Sequence, residues 1–330
     1  MKAVFWGVRG SIPTPGRSTL EFGGNTTCLE VLANSGDEYI FDAGSGIREL
    51  GNELMARYKG KVNAKLFISH DHWDHIQGFP FFVPAYVPGC KLDVYSGNKT
   101  DSKKLIQQED KSLTRTFKKK DLEDKVRERT RVLNKSPETN HTKRVFQGQQ
   151  SVERGYFPVS VGEMNSELTF CDLKEYEFVD RGVRVSYMFH NRHPGGMFSY
   201  KIQEVNKKIV NTGDYEQDGK FDSTTKIYEP GLWDNKMIAW AKEADMFIAD
   251  VQFTFEEYQK KIGWGHSYIE AMCNIAHRAG VKKVYFAHHD PMHNDKVLSE
   301  LEQYAKSYMK DILKSSTELI YAREGMSVEV

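Results

Sequence analysis

Short apolar runs, bounded by turn residues and rich in Val, Ile, Phe and Tyr, recur along the chain and read as buried strands. They cover residues 2–6, 28–33, 38–42, 64–69, 91–95, 168–170, 176–178, 183–189, 197–202, 208–212, 246–250 and 281–287. Asn34-Ser35-Gly36-Asp37 joins the second and third of these as a hairpin turn. Helical spacing marks 47–58, 233–242 and 268–279, and a polar helix is expected over 295–313 before closing strands. Ser267 is placed to cap the third of these helices, and Gly280 to end it. Two groups of hairpins, each trailed by helices, predict two packed sheets with helices outside. That is an α/β fold of the four-layer αββα type rather than one parallel sheet. The 330 residues are read as a single domain with one insertion.

The insertion is where the pattern breaks, at about 98–155. Apolar positions thin out there, and between Lys103 and Lys135 twelve basic residues face six acidic ones. This predicts a solvated, charged helical arm that acts as a lid or a dimer contact.

The densest polar cluster follows the strand at 64–69: His70-Asp71-His72-Trp73-Asp74-His75, then a brief helical turn over 76–80. In extended chain alternate side chains share a side, so His70 and His72 converge on one point while Asp74 and His75 turn to another. Imidazoles and carboxylates without a nearby thiolate suit two adjacent metal sites with open positions, zinc first, then manganese or iron.

Composition narrows the partners. Lys plus Arg and Asp plus Glu each number 46, so the chain has no global basic field for a polyanion. Cys28, Cys90, Cys171 and Cys273 form no CxxC pair, which fits a reducing cytoplasm. The first residues carry no signal-peptide core, and the greasiest stretch, Phe79 to Pro88, is broken by prolines, so no membrane span is expected.

The chain resembles the metallo-β-lactamase fold superfamily, in the branch shared by ribonuclease Z and cyclic phosphodiesterases. The likeness runs through residues 5–11, Gly23-Gly24-Asn25-Thr26, Asp42-Ala43-Gly44, the His70 to His75 cluster and His193-Pro194-Gly195-Gly196. It continues through Gly213-Asp214, Gly263-Trp264-Gly265-His266-Ser267 and His288-His289-Asp290-Pro291. By that resemblance His70, His72 and His193 hold a first divalent ion. Asp74, His75 and a late histidine hold a second, and Asp214 bridges them. The late ligand is His288 or His289; the family's ligand directly follows its strand, which favours His288. The resemblance makes Asp42 the carboxylate that orients a ligating histidine, His266 the general acid, and Asp250 the group that holds it. Ser199 stands where the family has glycine and Tyr268 where it has threonine; both departures bear on the substrate pocket rather than on the metals.

The implied chemistry is hydrolysis of a small phosphodiester, foremost a cyclic nucleotide, by a hydroxide held between two ions. The alternatives are a ribonuclease Z-like endonuclease that uses the basic arm, a lactone or thioester hydrolase on the same centre, and a non-enzymatic metal sensor. A homodimer is compatible with all of them.

Overall fold

The computed structural model describes residues 1–97, 141–173 and 177–330. Their strands form two large sheets. The first has the order β16-β1-β2-β3-β4-β5-β6, with β1 Lys2–Gly7, β2 Cys28–Leu32, β3 Glu38–Phe41, β4 Asn63–Ile68, β5 Lys91–Gly97, β6 Glu167–Leu173 and β16 Ser327–Glu329. The second has the order β15-β14-β13-β10-β9-β8-β7. Its members are β7 Glu177–Asp180, β8 Val183–His190, β9 Met197–Glu204, β10 Lys207–Asn211, β13 Met246–Asp250, β14 Lys283–Ala287 and β15 Glu318–Tyr321. A small pair, β11 Lys220–Phe221 and β12 Tyr228–Glu229, stands apart.

Successive side chains of a strand point to opposite faces, and here both faces are covered, which is why the strands read as near-continuous apolar runs. Phe67 of β4 points between the sheets, among Phe5, Phe41, Tyr95, Phe189 and Tyr200. Its neighbours Leu66 and Ile68 point outward, onto Ile47, Leu50 and Leu54 of α1, Ile47–Arg57. In β13, Ile248 faces the middle layer while Phe247 and Ala249 pack under α4 Leu232–Ala241, α6 Ile269–Ala279 and α7 Asp295–Ser307. The layers are thus αββα, as the strand and helix order predicts. Among the described residues, no helix is long and apolar enough to cross a membrane. All four cysteines are buried.

The end of the expected arm is a packed helix, not a solvated one. The α3 helix, His141–Gln149, buries Phe146 against Phe79 and Phe170, with ring centroids 4.3 and 5.6 Å away. Its first turn is held by Asp172, whose carboxylate accepts from the amides of His141 and Thr142 at 2.9 and 3.0 Å. One well-placed aromatic anchors this helix despite its sparse apolar content. The rest of the arm, 98–140, lies outside the described residues.

Two local expectations are corrected. Ser267 does not cap α6: Tyr268 holds the cap position, and the Ser267 hydroxyl donates to the carbonyl of Tyr215 instead. The helix does end on Gly280, at φ 63°. Ser199 and Tyr268 are core residues rather than pocket residues. Ser199 donates to the Thr212 carbonyl and meets His190 Nε2, and Tyr268 packs between Phe255 and Tyr258.

Candidate metal centre

Parallel strands deliver their carboxyl ends to one edge of each sheet, and the site lies there. In the first sheet β3 and β4 run parallel and end at Asp42 and His70. In the second, β10, β13 and β14 run parallel and lead to Asp214, Asp250 and His288. His193 comes from the turn between β8 and β9. Asp74 and His75 occupy the first turn of α2, Trp73–Ile76. Helix initiation after His72 rotates these two side chains away from His70 and His72, as the cluster's spacing predicts.

The donors fall into overlapping groups whose atoms all lie within 4.8 Å of one another: His70, His72, His193 and Asp214; Asp74, His75, Asp214 and His288. Ligand atoms around a tetrahedral ion with bonds of about 2.0–2.1 Å stand about 3.3 Å apart. Asp214 Oδ2 is 3.4 Å from His70 Nε2 and 3.8 Å from His193 Nε2. Its other oxygen, Oδ1, is 3.2 Å from both His75 Nε2 and His288 Nε2. Asp74 Oδ2 is 3.3 Å from His75 Nε2 and 3.2 Å from His288 Nε2. One carboxylate therefore turns one oxygen to each group, the disposition a bridging ligand requires.

Three observations fit this donor set to divalent cations. His70 Nε2, His75 Nε2 and Asp214 Oδ1 are buried without a hydrogen-bond partner, an arrangement that is costly unless an ion is bound. Burial drives the His70 ring well below the usual imidazole range and lowers His193 to about 4, so both present neutral nitrogen donors. At His75 burial also disfavours charge, but the carboxylates of Asp214, Asp74 and Asp42 override it and hold the ring well above its ordinary value. His288 behaves alike: Asp214 and Asp74 outweigh burial and raise it to about 9. This half of the pocket attracts positive charge, which a metal ion supplies in place of a proton.

The layer behind the ligands sets their orientation. Asp42 Oδ2 accepts from His75 Nδ1 at 2.9 Å and from the Ser69 hydroxyl at 2.9 Å, and Oδ1 takes the Ser69 amide at 2.7 Å. His75 is thereby fixed with Nε2 toward the centre. Ser69 Oγ also lies 3.1 Å from His70 Nδ1. His193 Nδ1 donates to the Gly265 carbonyl at 3.1 Å, which turns its Nε2 inward. The Ser11 amide donates to Asp74 Oδ2 at 2.7 Å. Gly10 is sterically required beside it, because a Cβ there would sit 2.3 Å from His288 Nδ1.

His266 stands against the second group without belonging to it. Its ring stacks on His288, with centroids 4.7 Å apart and planes 19° from parallel, and its Nδ1 donates to Asp250 Oδ2 at 3.0 Å. Asp250 also takes the Tyr215 amide at 2.9 Å. Burial raises the Asp250 carboxyl, although His266 pulls against that shift. His266, Asp250, Asp214 and His288 are close enough to count as a further candidate ligand group. With Nδ1 committed to Asp250, however, only Nε2 of His266 is left for chemistry.

The structure separates the two late histidines. His288 Nε2 meets Asp74 and Asp214, whereas His289 Nε2 donates to the Ala322 carbonyl at 2.9 Å and its ring lies over Tyr321. Of the two candidates for the late ligand, His288 is the one whose ring reaches the carboxylates. His289 braces the loop, and its backbone amide donates to the Val8 carbonyl. His141 meets Asp71 Oδ2 at 3.3 Å from the start of α3, while Gln149 of the same helix donates to the Ile76 carbonyl. Sequence reasoning gave no role to Ser69, which directly precedes His70, or to Glu216, two residues after Asp214.

No family model matches the chain. Among curated proteins it resembles ribonuclease Z of Picrophilus torridus, 23% identical over 326 residues that cover 94% of this chain and 92% of that protein. Ribonuclease Z of Bacillus thuringiensis is also 23% identical, over 323 residues that cover 97% and 96%. Among solved structures it superposes on unliganded yeast PDE1 with a TM-score of 0.62 at 12% identity, covering 100% of this chain and 99% of that one. Human tRNase Z, short form, gives a TM-score of 0.57 at 16% identity, with 100% and 99% covered. The chain thus has the fold of the metallo-β-lactamase fold proteins, and in sequence it is similar to ribonuclease Z.

Proposed function

We propose that this metal-dependent hydrolase cleaves a small phosphodiester on a two-ion centre, with 3′,5′-cyclic nucleotides the leading substrates and zinc the leading metal. The observation that carries the reading is the division of labour around Asp214: its two oxygens face two sets of histidines, while His266 stands outside both and is held by Asp250. The ions, when bound, supply Lewis acidity and an activated water. His70, His72 and His193 would hold one, Asp74, His75 and His288 the other, and Asp214 would be shared. Asp74 and Asp214 carry two negative charges between them, fewer than two divalent ions would bring, so the loaded site would favour an anionic ester. His266 donates the proton from Nε2 to the departing alkoxide, and Asp250 keeps the ring oriented and stabilises its charged form.

The ribonuclease Z reading has equal support: both curated relatives are ribonuclease Z, and the similar solved structures include a tRNase Z beside PDE1. Against it stands the balance of 46 basic and 46 acidic residues, since an RNA footprint draws its affinity from many phosphate contacts. Profiling the zinc- or manganese-loaded protein against cyclic nucleotides, a tRNA precursor and lactones separates the possibilities. Turnover of a cyclic nucleotide is the expected result. Efficient cleavage of the tRNA precursor with no action on cyclic nucleotides would give the function to the ribonuclease reading.

A further inference from the structure

We propose that Glu216 is the positioning residue that sets the geometry of His266. The inference rests on the reading of His266 as the proton donor. Glu216 lies two residues after Asp214 and is 5% exposed. Among the described residues no cation pairs with its carboxylate; it takes three neutral donors, all from the segment that leads to His266. Oε1 accepts from the Tyr258 hydroxyl at 2.9 Å and from the Gly263 amide at 2.7 Å, and Oε2 accepts from the Gly265 amide at 2.8 Å.

The backbone of this segment is shaped for that grip. Gly263 and Gly265 have φ of 88° and 94°, values that side-chain-bearing residues avoid and that let alternate amides converge on one anion. Gly265 also has no room for a side chain, because a Cβ would lie 2.2 Å from His193 Nδ1. Its carbonyl is the acceptor that orients His193, and the next residue is His266. On the other flank the Ser267 hydroxyl donates to the Tyr215 carbonyl. The base of the clamp is fixed in turn: the Glu216 amide donates to the Arg192 carbonyl at 3.1 Å, and the Arg192 guanidinium returns bonds to the carbonyls of Glu216 and Gln217. Residues 214–217 thus join a shared metal ligand, a histidine ligand and the proton donor in one hydrogen-bonded unit.

A carboxylate is needed because both of its oxygens must accept. In Glu216→Gln one of the two positions becomes an NH2 group facing an N–H or O–H donor, so part of the loop must turn away. The test pairs Glu216→Gln with His266→Ala, each loaded with zinc. Hydrogen exchange of a peptide spanning 259–267 should quicken at least about tenfold in Glu216→Gln as the amides lose their acceptor. Metal content should stay at the wild-type value. Turnover of a phosphodiester with an alkoxide leaving group should fall about 10- to 100-fold, a part of what a positioned acid contributes, while bis-p-nitrophenyl phosphate should change less than about threefold, since its leaving group needs no proton. Glu216→Asp, which keeps both acceptors, should recover part of the loss. Unchanged exchange, equal losses on both esters, or lost metal would overturn the assignment. A leaving-group-selective loss in His266→Ala that Glu216→Gln does not share would overturn this inference alone; no selectivity in His266→Ala would overturn the acid and the inference together. If Glu216→Gln does not fold, Tyr258→Phe removes one of the three donors and must show the same selectivity in weaker form, or the proposal fails.

Discussion

Four of the candidate ligands, His70, His72, Asp74 and His75, come from six consecutive residues at the end of β4 and in the first turn of α2. His266, across the site, comes from a loop between α5 (Phe255–Tyr258) and α6, and is held by residues distant in sequence: Asp250 on β13 and, through the preceding glycines, Glu216 after β10. On the ligand side, a single strand end and helix start already fix the relative positions of the side chains, and Asp42 with Ser69 needs only to orient rings. On the acid side, position depends on hydrogen bonds between segments. The geometry of these four candidate ligands is therefore local, and that of the proposed acid is collective and sensitive to its supports.

Substitutions can break that contrast at graded strengths. The largest effect is expected at His266→Ala, which should keep its metals and lose about 10²–10⁴ in kcat on a poor leaving group, with p-nitrophenolate esters nearly spared. Steady-state kinetics on both ester types checks it, and a loss of metal would merge the two sides into one unit. Next, Asp42→Ala should lower metal affinity by about 10- to 100-fold, measured by competition with a chelator, without leaving-group selectivity. Asp42 has φ 63° and lies buried beside Ser69, so Asp42→Asn is the gentler variant and should show the smaller loss.

The smallest effect concerns pH. Glu257 opens α5 and binds His293 Nε2 at 2.8 Å, tying the base of the acid loop to the segment after His288. Burial disfavours its charge, but the bonds from His293 and the Thr254 amide outweigh that and hold the carboxyl at about 2. A carboxyl lower in the folded than in the unfolded chain contributes stability that is full above the unfolded value, about 4.3, and is lost as pH falls toward the folded one. Glu257→Gln should thus flatten the fall of thermal stability between about pH 4.5 and 2, followed by calorimetry. An unchanged acid limb would show that this tie adds nothing.

Much of this was readable in the chain because local rules govern it. Strands covered on both faces give unbroken apolar runs, Gly280 marks a left-handed helix end, and the His70 to His75 spacing alone separates two pairs of donors. What escaped depended on tertiary partners. The α3 helix has one buried aromatic, Phe146, whose value comes from Phe79 and Phe170 on other elements. Ser267 looks like a cap until Tyr215 offers its carbonyl. His288 and His289 are equivalent in composition and neighbours in sequence; what divides them is their partners, Asp74 and Asp214 for His288 and the Ala322 carbonyl for His289. Glu216 gave no signal beyond its nearness to Asp214, since its partners, the Tyr258 hydroxyl and the amides of Gly263 and Gly265, lie more than forty residues away in sequence.

The most direct test of the shared carboxylate is the metal content of wild type and Asp214→Ala after loading with zinc or manganese, read by elemental analysis. About two ions per chain in wild type and fewer in Asp214→Ala is the predicted result. A wild-type protein that stays free of metal, or an Asp214→Ala protein that retains the full complement, would contradict it.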